Sequence, residues 1–151
     1  MNQLARISEA DSLAFHGMAA LANNENRFMS VKDISELLQV SYSHLRDVFR
    51  WLEKQGLLIG VTGPEGGYKL AKRSDEITLL EIYEAMEGKF KNRDCLLDKR
   101  VCRGKECVLG DFVRKMNGEF KEYLAKTRLS KFKGLYQSQK GGKNEKKGNK
   151  D

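Results

Sequence analysis

The chain has 151 residues, 40% of them hydrophobic, which suits one domain, or a small domain with an extension, around a modest core. No apolar run reaches the roughly 18 residues of a membrane span, and the polar, acidic start MNQLARISEADS does not read as a secretory signal, so a cytoplasmic protein with reduced thiols and no membrane partner is expected. The net charge of +7 is concentrated: residues 131–151 carry seven lysines against two acids, whereas residues 1–130 carry 21 bases against 19 acids.

Residues 13–22 (LAFHGMAALA) form an apolar run of helix formers, expected to pack on something larger. The following NNENR is turn chemistry. Ser30 then stands three residues before Asp33, the spacing of a capping box, and Val31, Ile34, Leu37 and Leu38 share one helical face. Gln39, Val40 and Ser41 interrupt the pattern. A second helix carries Leu45, Val48, Phe49 and Leu52 on one face and ends at Gly56. Two amphipathic helices joined by a short break are a helix-turn-helix candidate. Residues 57–61 (LLIGV) are β-prone, residues 62–67 (TGPEGG) are a turn, and Tyr68-Lys69-Leu70 resumes strand character. Strand, glycine-rich turn and strand behind the second helix read as a wing. Ile77, Leu80, Ile82, Tyr83 and Met86 describe a further helix, opened at Ser74-Asp75 or Thr78 and closed at Gly88.

The later chain is organised around thiols. All three cysteines lie in one stretch, Cys95, Cys102 and Cys107, an odd and local set that argues against a disulfide framework. Three thiolates converging from one loop are most of a metal or iron–sulfur site. Segment 91–107 holds six bases (Lys91, Arg93, Lys99, Arg100, Arg103, Lys105) against three acids (Asp94, Asp98, Glu106). Positive neighbours favour thiolates, and Gly104 offers a tight turn between the last two sulfurs. Residues 108–127 repeat apolar side chains every three or four positions and predict a long amphipathic helix, expected to pair with a second copy. Residues 137–151 read as a disordered lysine-rich tail, either a solubilising end or a non-specific phosphate-binding arm.

In a helix-turn-helix the start of the second helix enters the major groove. Here that start is Ser41, Tyr42, Ser43, His44 and Arg46, with Arg50 one turn on. Hydroxyls and arginines donate to phosphates, and arginine pairs bidentately with guanine. His44, off the Leu45/Phe49 stripe, is expected at the groove or surface. In the wing, Gly66 and Gly67 permit close approach of backbone to phosphate or minor groove. The expected fold is mainly α with a small β-wing. Residues 1–88 form a winged helix-turn-helix, 89–107 a cysteine loop, 108–136 a dimerisation helix and its end, and 137–151 the tail.

Residues 10–135 resemble the IscR/NsrR-like (Rrf-type) winged-helix regulators. The resemblance is carried by Gly63-Pro64-x-Gly66-Gly67-Tyr68-x-Leu70-Ala71, Ile77-Thr78-Leu79 and Glu87-Gly88, followed by the three cysteines. It implies a homodimer on palindromic promoter DNA, with an iron–sulfur cluster (2Fe-2S or 4Fe-4S) on Cys95, Cys102 and Cys107 in many members and none in others. Cluster loss, nitrosylation or redox change then alters DNA affinity. Thr62 replaces the usual wing arginine, and His44-Leu45-Arg46 replaces Tyr-Leu-Glu, which predicts a changed base preference. The cysteine spacing of six and four residues replaces five and five. Gly110 stands where one pattern has a fourth-ligand histidine. Another pattern takes an acid from the first helix of the partner; alignment puts Ser12 there, with Asp11 adjacent and His16 one turn on, and Asp11 is favoured over His16.

Alternatives follow from the same residues. Zinc usually shows paired Cys-x-x-Cys knuckles, absent here. A metal-free thiol switch would pair two of the three cysteines. An electron-transfer protein would use the winged helix to bind protein. No glycine-rich nucleotide loop or Ser/His/Asp set occurs, and the chain has two histidines, so an enzyme is not expected.

Overall fold

In the computed structural model, which describes residues 3–102 and 106–136, helix α1 (Glu9–Ala22) is the element on which the others are assembled. Ser8 caps it: the Ser8 side chain accepts from the Asp11 N–H, and the Asp11 carboxylate accepts from the Ser8 N–H at 2.8 Å. This box starts the helix four residues before the apolar run does. Leu13, Ala14, Met18, Ala20, Leu21 and Ala22 are all buried, so the helix is enclosed over much of its circumference.

Helices α2 (Val31–Leu38) and α3 (Tyr42–Lys54) follow as expected, capped by Ser30 and Ser41. Gln39 takes a left-handed φ of 54° in the break between them. Gly17 of α1 faces Phe49 of α3 so closely that a Cβ there would lie 2.5 Å from the Phe49 ring. Phe49 itself is fully buried.

The wing is an antiparallel pair, β1 (Leu58–Val61) and β2 (Gly67–Leu70), in the register Leu58↔Leu70 to Val61↔Gly67. Met29, just before α2, extends this ladder: it exchanges two 2.9 Å hydrogen bonds with Tyr68. Ser74–Glu76 form one 3-10 turn, and α4 (Leu79–Glu87) follows, opened by a Thr78/Glu81 capping box and closed at Gly88.

Helix α5 runs Phe112–Lys126, four residues shorter at its start than the apolar spacing of residues 108–127 predicts. Val108 and Leu109 fit the spacing, but Gly110 adopts φ 55° and residues 107–112 form successive turns instead. After α5 the chain returns to the winged part. The Leu79 N–H donates to the Thr127 carbonyl at 2.9 Å and the Leu129 N–H to the Ile77 carbonyl at 2.8 Å. Leu129, in a short 3-10 turn (Leu129–Phe132), is fully buried in the same core as α1, α3 and α4. Arg103, Gly104 and Lys105 of the cysteine segment, and the whole lysine-rich tail 137–151, lie outside the described residues.

A glycine inside a helix ordinarily costs about 1 kcal/mol against alanine. At Gly17 the Phe49 ring reverses the sign, because overpacking a closed core costs ~1–3 kcal/mol. Gly17→Ala is therefore expected to destabilise the fold by roughly 1–2 kcal/mol, read as a fall in Tm of about 2–8 °C. A rise in Tm would show that the α1–α3 contact is loose.

Candidate nucleic-acid interface and cysteine cavity

The exposed end of α3 is built by its cap. Ser41 Oγ accepts from the His44 N–H at 3.3 Å and lies 3.2 Å from Ser43 Oγ. Ser41, Tyr42, Ser43 and Arg50 are exposed, Tyr42 at 49%. Arg46 is half-buried, its guanidinium 5.8 Å from the centre of the Tyr42 ring. Its Nε is buried without a hydrogen-bond partner, and 3.7 Å from it lies Asp47 Oδ1. The stack holds an aromatic face and a guanidinium together at the start of the helix, where the positive end of the helix dipole also favours phosphate. His44 is half-buried, with Nδ1 3.3 Å from Glu9 Oε1 at the start of α1. It thus links α3 to α1 as well as bordering the exposed face.

Both wing glycines have reasons internal to the fold. A Cβ at Gly66 would strike the Val61 carbonyl, and one at Gly67 (φ 140°) would strike the Met29 carbonyl. These contacts account for the glycines without reference to a nucleic acid. The tip of the wing, residues 62–65, is exposed.

The second site is a cavity of about 610 Å3 lined by all three thiols, Cys95, Cys102 and Cys107, with Arg100, Arg114 and Gly110 among its other walls. Cys95 and Cys102 are half-buried and Cys107 is exposed. Arg100 forms an ion pair with Asp94, and Arg114 with Asp111 at 2.8 Å. The Arg100 hydrogen bond holds the Asp94 carboxyl below its ordinary range. Asp94, and after it the Cys102 and Cys95 thiols, hold Arg100 more firmly protonated. The cavity therefore places a guanidinium beside two sulfurs, with Asp94, Asp111 and Glu106 also on its walls and each of its two arginines paired with one of these acids. Among the described residues, no three of His, Cys, Asp and Glu are already gathered as a metal-ligand set.

Neither expected fourth ligand reaches this cavity within the chain. Asp11 is 1% exposed, and its Oδ2 caps α1. Its Oδ1 has no donor unless Glu87, beside it, carries a proton. His16 is exposed, with Nδ1 2.7 Å from the Ser12 carbonyl oxygen. It lines a different, apolar groove of about 470 Å3 with Phe15, Met116, Phe120, Tyr123 and Leu135. The Ser8-x-x-Asp11 spacing signalled the capping role of Asp11. Sequence reasoning also passed over Asn117, buried at 2%. Its signal was a polar residue on the stripe of Val113, Phe120 and Leu124.

Helix-turn-helix, wing and long terminal helix together define a DNA-binding transcriptional regulator of the winged-helix class. A family model described as Rrf2, iron-dependent transcriptional regulator, matches residues 7–133. The chain belongs to the Rrf2 family, whose members are transcription factors and not enzymes. It is 32% identical over 101 residues to the regulator NsrR of Shouchella clausii, a match covering 67% of this chain and 64% of that one. Among solved structures it is similar to CymR of B. subtilis, titled the global cysteine regulator, with a TM-score of 0.69 and 25% identity over 83% of this chain and 93% of that one. It is also similar to T. potens IscR, with a TM-score of 0.65 and 25% identity over 83% and 84% of the two chains. No helix among the described residues is long and apolar enough to cross a membrane.

The Glu87 carboxyl is held above its ordinary range of about 4.5 by burial first, then by its hydrogen bond to Asp11 and that residue's charge. A raised folded pKa contributes stability below the ordinary range, and that contribution is lost as pH rises through the folded value. Glu87→Gln keeps a neutral hydrogen-bonding group there at every pH. Its Tm is expected to exceed that of the wild type at pH 8, with the difference closing as pH falls to about 4.5. A pH-independent difference would show that the two carboxyl groups do not share a proton.

Proposed function

We infer that the chain is a homodimeric regulator of promoter DNA whose affinity is set by an iron–sulfur cluster (2Fe-2S or 4Fe-4S) on Cys95, Cys102 and Cys107. The observation that carries this reading is that every cysteine of the chain opens on one cavity walled by Arg100 and Arg114. Donor chemistry suits the group, since thiolates are its usual ligands, while Arg100 and Arg114 on the wall are balanced by Asp94, Asp111 and Glu106. When bound, the cluster supplies a centre whose state responds to iron–sulfur status, nitric oxide or redox change. The chain's own part is to supply three sulfurs, set the Arg100 guanidinium beside two of them and link the loop to the DNA-reading helix.

DNA is read by Ser41, Tyr42, Ser43, His44, Arg46 and Arg50, with Gly66 and Gly67 shaping the wing. The dimer forms along residues 108–127. Phe112, Met116 and Tyr123 are exposed on α5 at helical spacing, and Met116 and Tyr123 line the apolar groove beside Phe15. The α5 of a second copy is its natural occupant, since a face this apolar is disfavoured in water. Such a dimer brings Asp11 or His16 of one copy toward the loop of the other. Asp11 would have to give up its cap to act as a ligand, which favours His16.

A metal-free thiol switch, pairing two of the three cysteines that share the cavity, is the second reading. It uses the same cavity and predicts protein without iron. Protein purified without oxygen is expected to be coloured and to contain iron and sulfide, with the visible absorption lost in Cys102→Ala. Colourless, iron-free protein that still responds to oxidants establishes the thiol switch instead.

Sites selected from a random duplex pool are expected to be inverted repeats, as a two-fold dimer requires. Arg46→Ala is expected to weaken binding by roughly 5- to 150-fold at the preferred base, the loss of one bidentate contact worth ~1–3 kcal/mol, and to relax specificity there. Equal weakening on all sequences would make Arg46 a phosphate contact. Absence of any sequence-dependent binding would favour a protein-binding role for the winged helix.

A further inference from the structure

Asn117 sits in the interior of α5 and is 2% exposed. Asparagine is a poor helix former, and Gly118 beside it is worse. Nothing lies within 4 Å of a Cβ built on Gly118, so packing does not account for that glycine. The asparagine has a different explanation. Its Oδ1 accepts from the Ala5 N–H at 2.8 Å, and its Nδ2 donates to the Arg93 carbonyl at 2.7 Å. A backbone N–H can only donate and a carbonyl can only accept, so these partners fix the amide orientation and need both its halves. Aspartate offers only acceptors and leucine neither. One buried side chain thus joins the arm before α1 to the segment two residues before Cys95.

The arm leads on to the DNA-reading helix. Three residues after Ala5, Ser8 caps α1 and donates from Oγ to Glu87 Oε1 at 3.2 Å. Glu9 follows, paired with His44 at the start of α3. The α1–α3 contact at Gly17 then leaves no slack between the two helices. The chain of contacts runs from Arg93 through Asn117 and Ala5 to Ser8, Glu9 and His44.

We propose that Asn117 is a positioning residue that couples the cysteine segment to the recognition helix through the arm before α1. This rests on the reading of the cysteine segment as the sensor. The state of the loop sets where the Arg93 carbonyl lies. Asn117 passes that displacement to Ala5, and α1 carries it to His44. The cysteine segment needs no contact with DNA of its own.

The test uses the full chain and a duplex selected from a random pool by the wild-type protein. Two variants cut the route on either side of Asn117. Asn117→Asp keeps the acceptor for Ala5 and removes the donor to Arg93, while Ala5→Pro removes the N–H and leaves the core intact. DNA affinity is measured with the protein free of iron, anaerobically loaded with ferrous iron and sulfide, and carbamidomethylated with iodoacetamide. Amide exchange at Ala5 is followed in each state. In the wild type, loop state is expected to change DNA affinity within the roughly 5- to 150-fold range of allosteric coupling, and to change Ala5 exchange. Both variants, folded by circular dichroism, are expected to bind DNA with an affinity that no longer depends on loop state. An undiminished dependence in both variants overturns the coupling and leaves the sensor reading intact. Unchanged Ala5 exchange across the wild-type loop states overturns it as well. Altered Ala5 exchange with constant wild-type DNA affinity sinks the sensor reading but supports the link from loop to arm.

Discussion

The structure depends on the absence of a side chain at Gly17. Helix α1 approaches α3 there closely enough that the Phe49 ring occupies the space of a Cβ. Full burial of such a ring is worth about 1.5–3 kcal/mol. Its larger consequence is geometric. Helix α3 has one position relative to α1, and α1 also packs against α4, β2 and the turn that carries Leu129. Displacement of α1 at its N-terminus therefore has to appear at α3, because a close-packed contact transmits strain and does not absorb it.

The cysteine segment contrasts with this. Its described contacts include the exposed ion pair of Arg100 with Asp94, of a kind worth ~0–1 kcal/mol. Firmer anchors stand at its entrance: the Phe90 N–H donates to Glu84 at 2.7 Å, and Asn117 holds the Arg93 carbonyl. The near-neutral charge of residues 1–130 fits this division of labour. Arginines are placed locally, Arg46 and Arg50 on one face and, paired with Asp94 and Asp111, Arg100 and Arg114 in the cavity.

Much of this was legible because it is local. The α2 and α3 helices, the Ser30 cap and the wing turn follow from spacing alone and appear as expected, whereas Leu37 of the α2 stripe is exposed and the capping role of Ser41 was not read. The start of α1 was hidden because Ser8 and Asp11 look like part of a polar leader until they are recognised as a capping pair. The start of α5 was misplaced because apolar spacing continues through Val108 and Leu109, while the left-handed Gly110 ends the helix geometry. Spacing could not reveal the pairing of residues 77–79 with 127–129, which joins segments about 50 residues apart through backbone bonds. At the candidate site, sequence pattern found the thiols and the exposed α3 residues. It could not show that His44 turns toward Glu9, that Asp11 is buried in a cap, or that Gly66 and Gly67 answer to clashes inside the wing.

These hidden features meet at one place, the first turn of α1. Ser8, Glu9 and Asp11 there contact the arm, α4 and α3 at once. Most contacts of a stable core are redundant, but these are not. The buried Asp11 Oδ1 lacks a donor, and the exposed Glu87 carboxyl beside it is held above its ordinary range, so the joint sets two carboxyl groups side by side. A fold selected only for stability would place an amide at one of the two positions. An imperfect joint lowers the free energy needed to shift α1, and a ligand moves an equilibrium only by its differential affinity for the two states. With a coupling of ~1–3 kcal/mol available in typical regulators, a joint already weakened by such a pair can respond, whereas one as tightly closed as Gly17 against Phe49 would not.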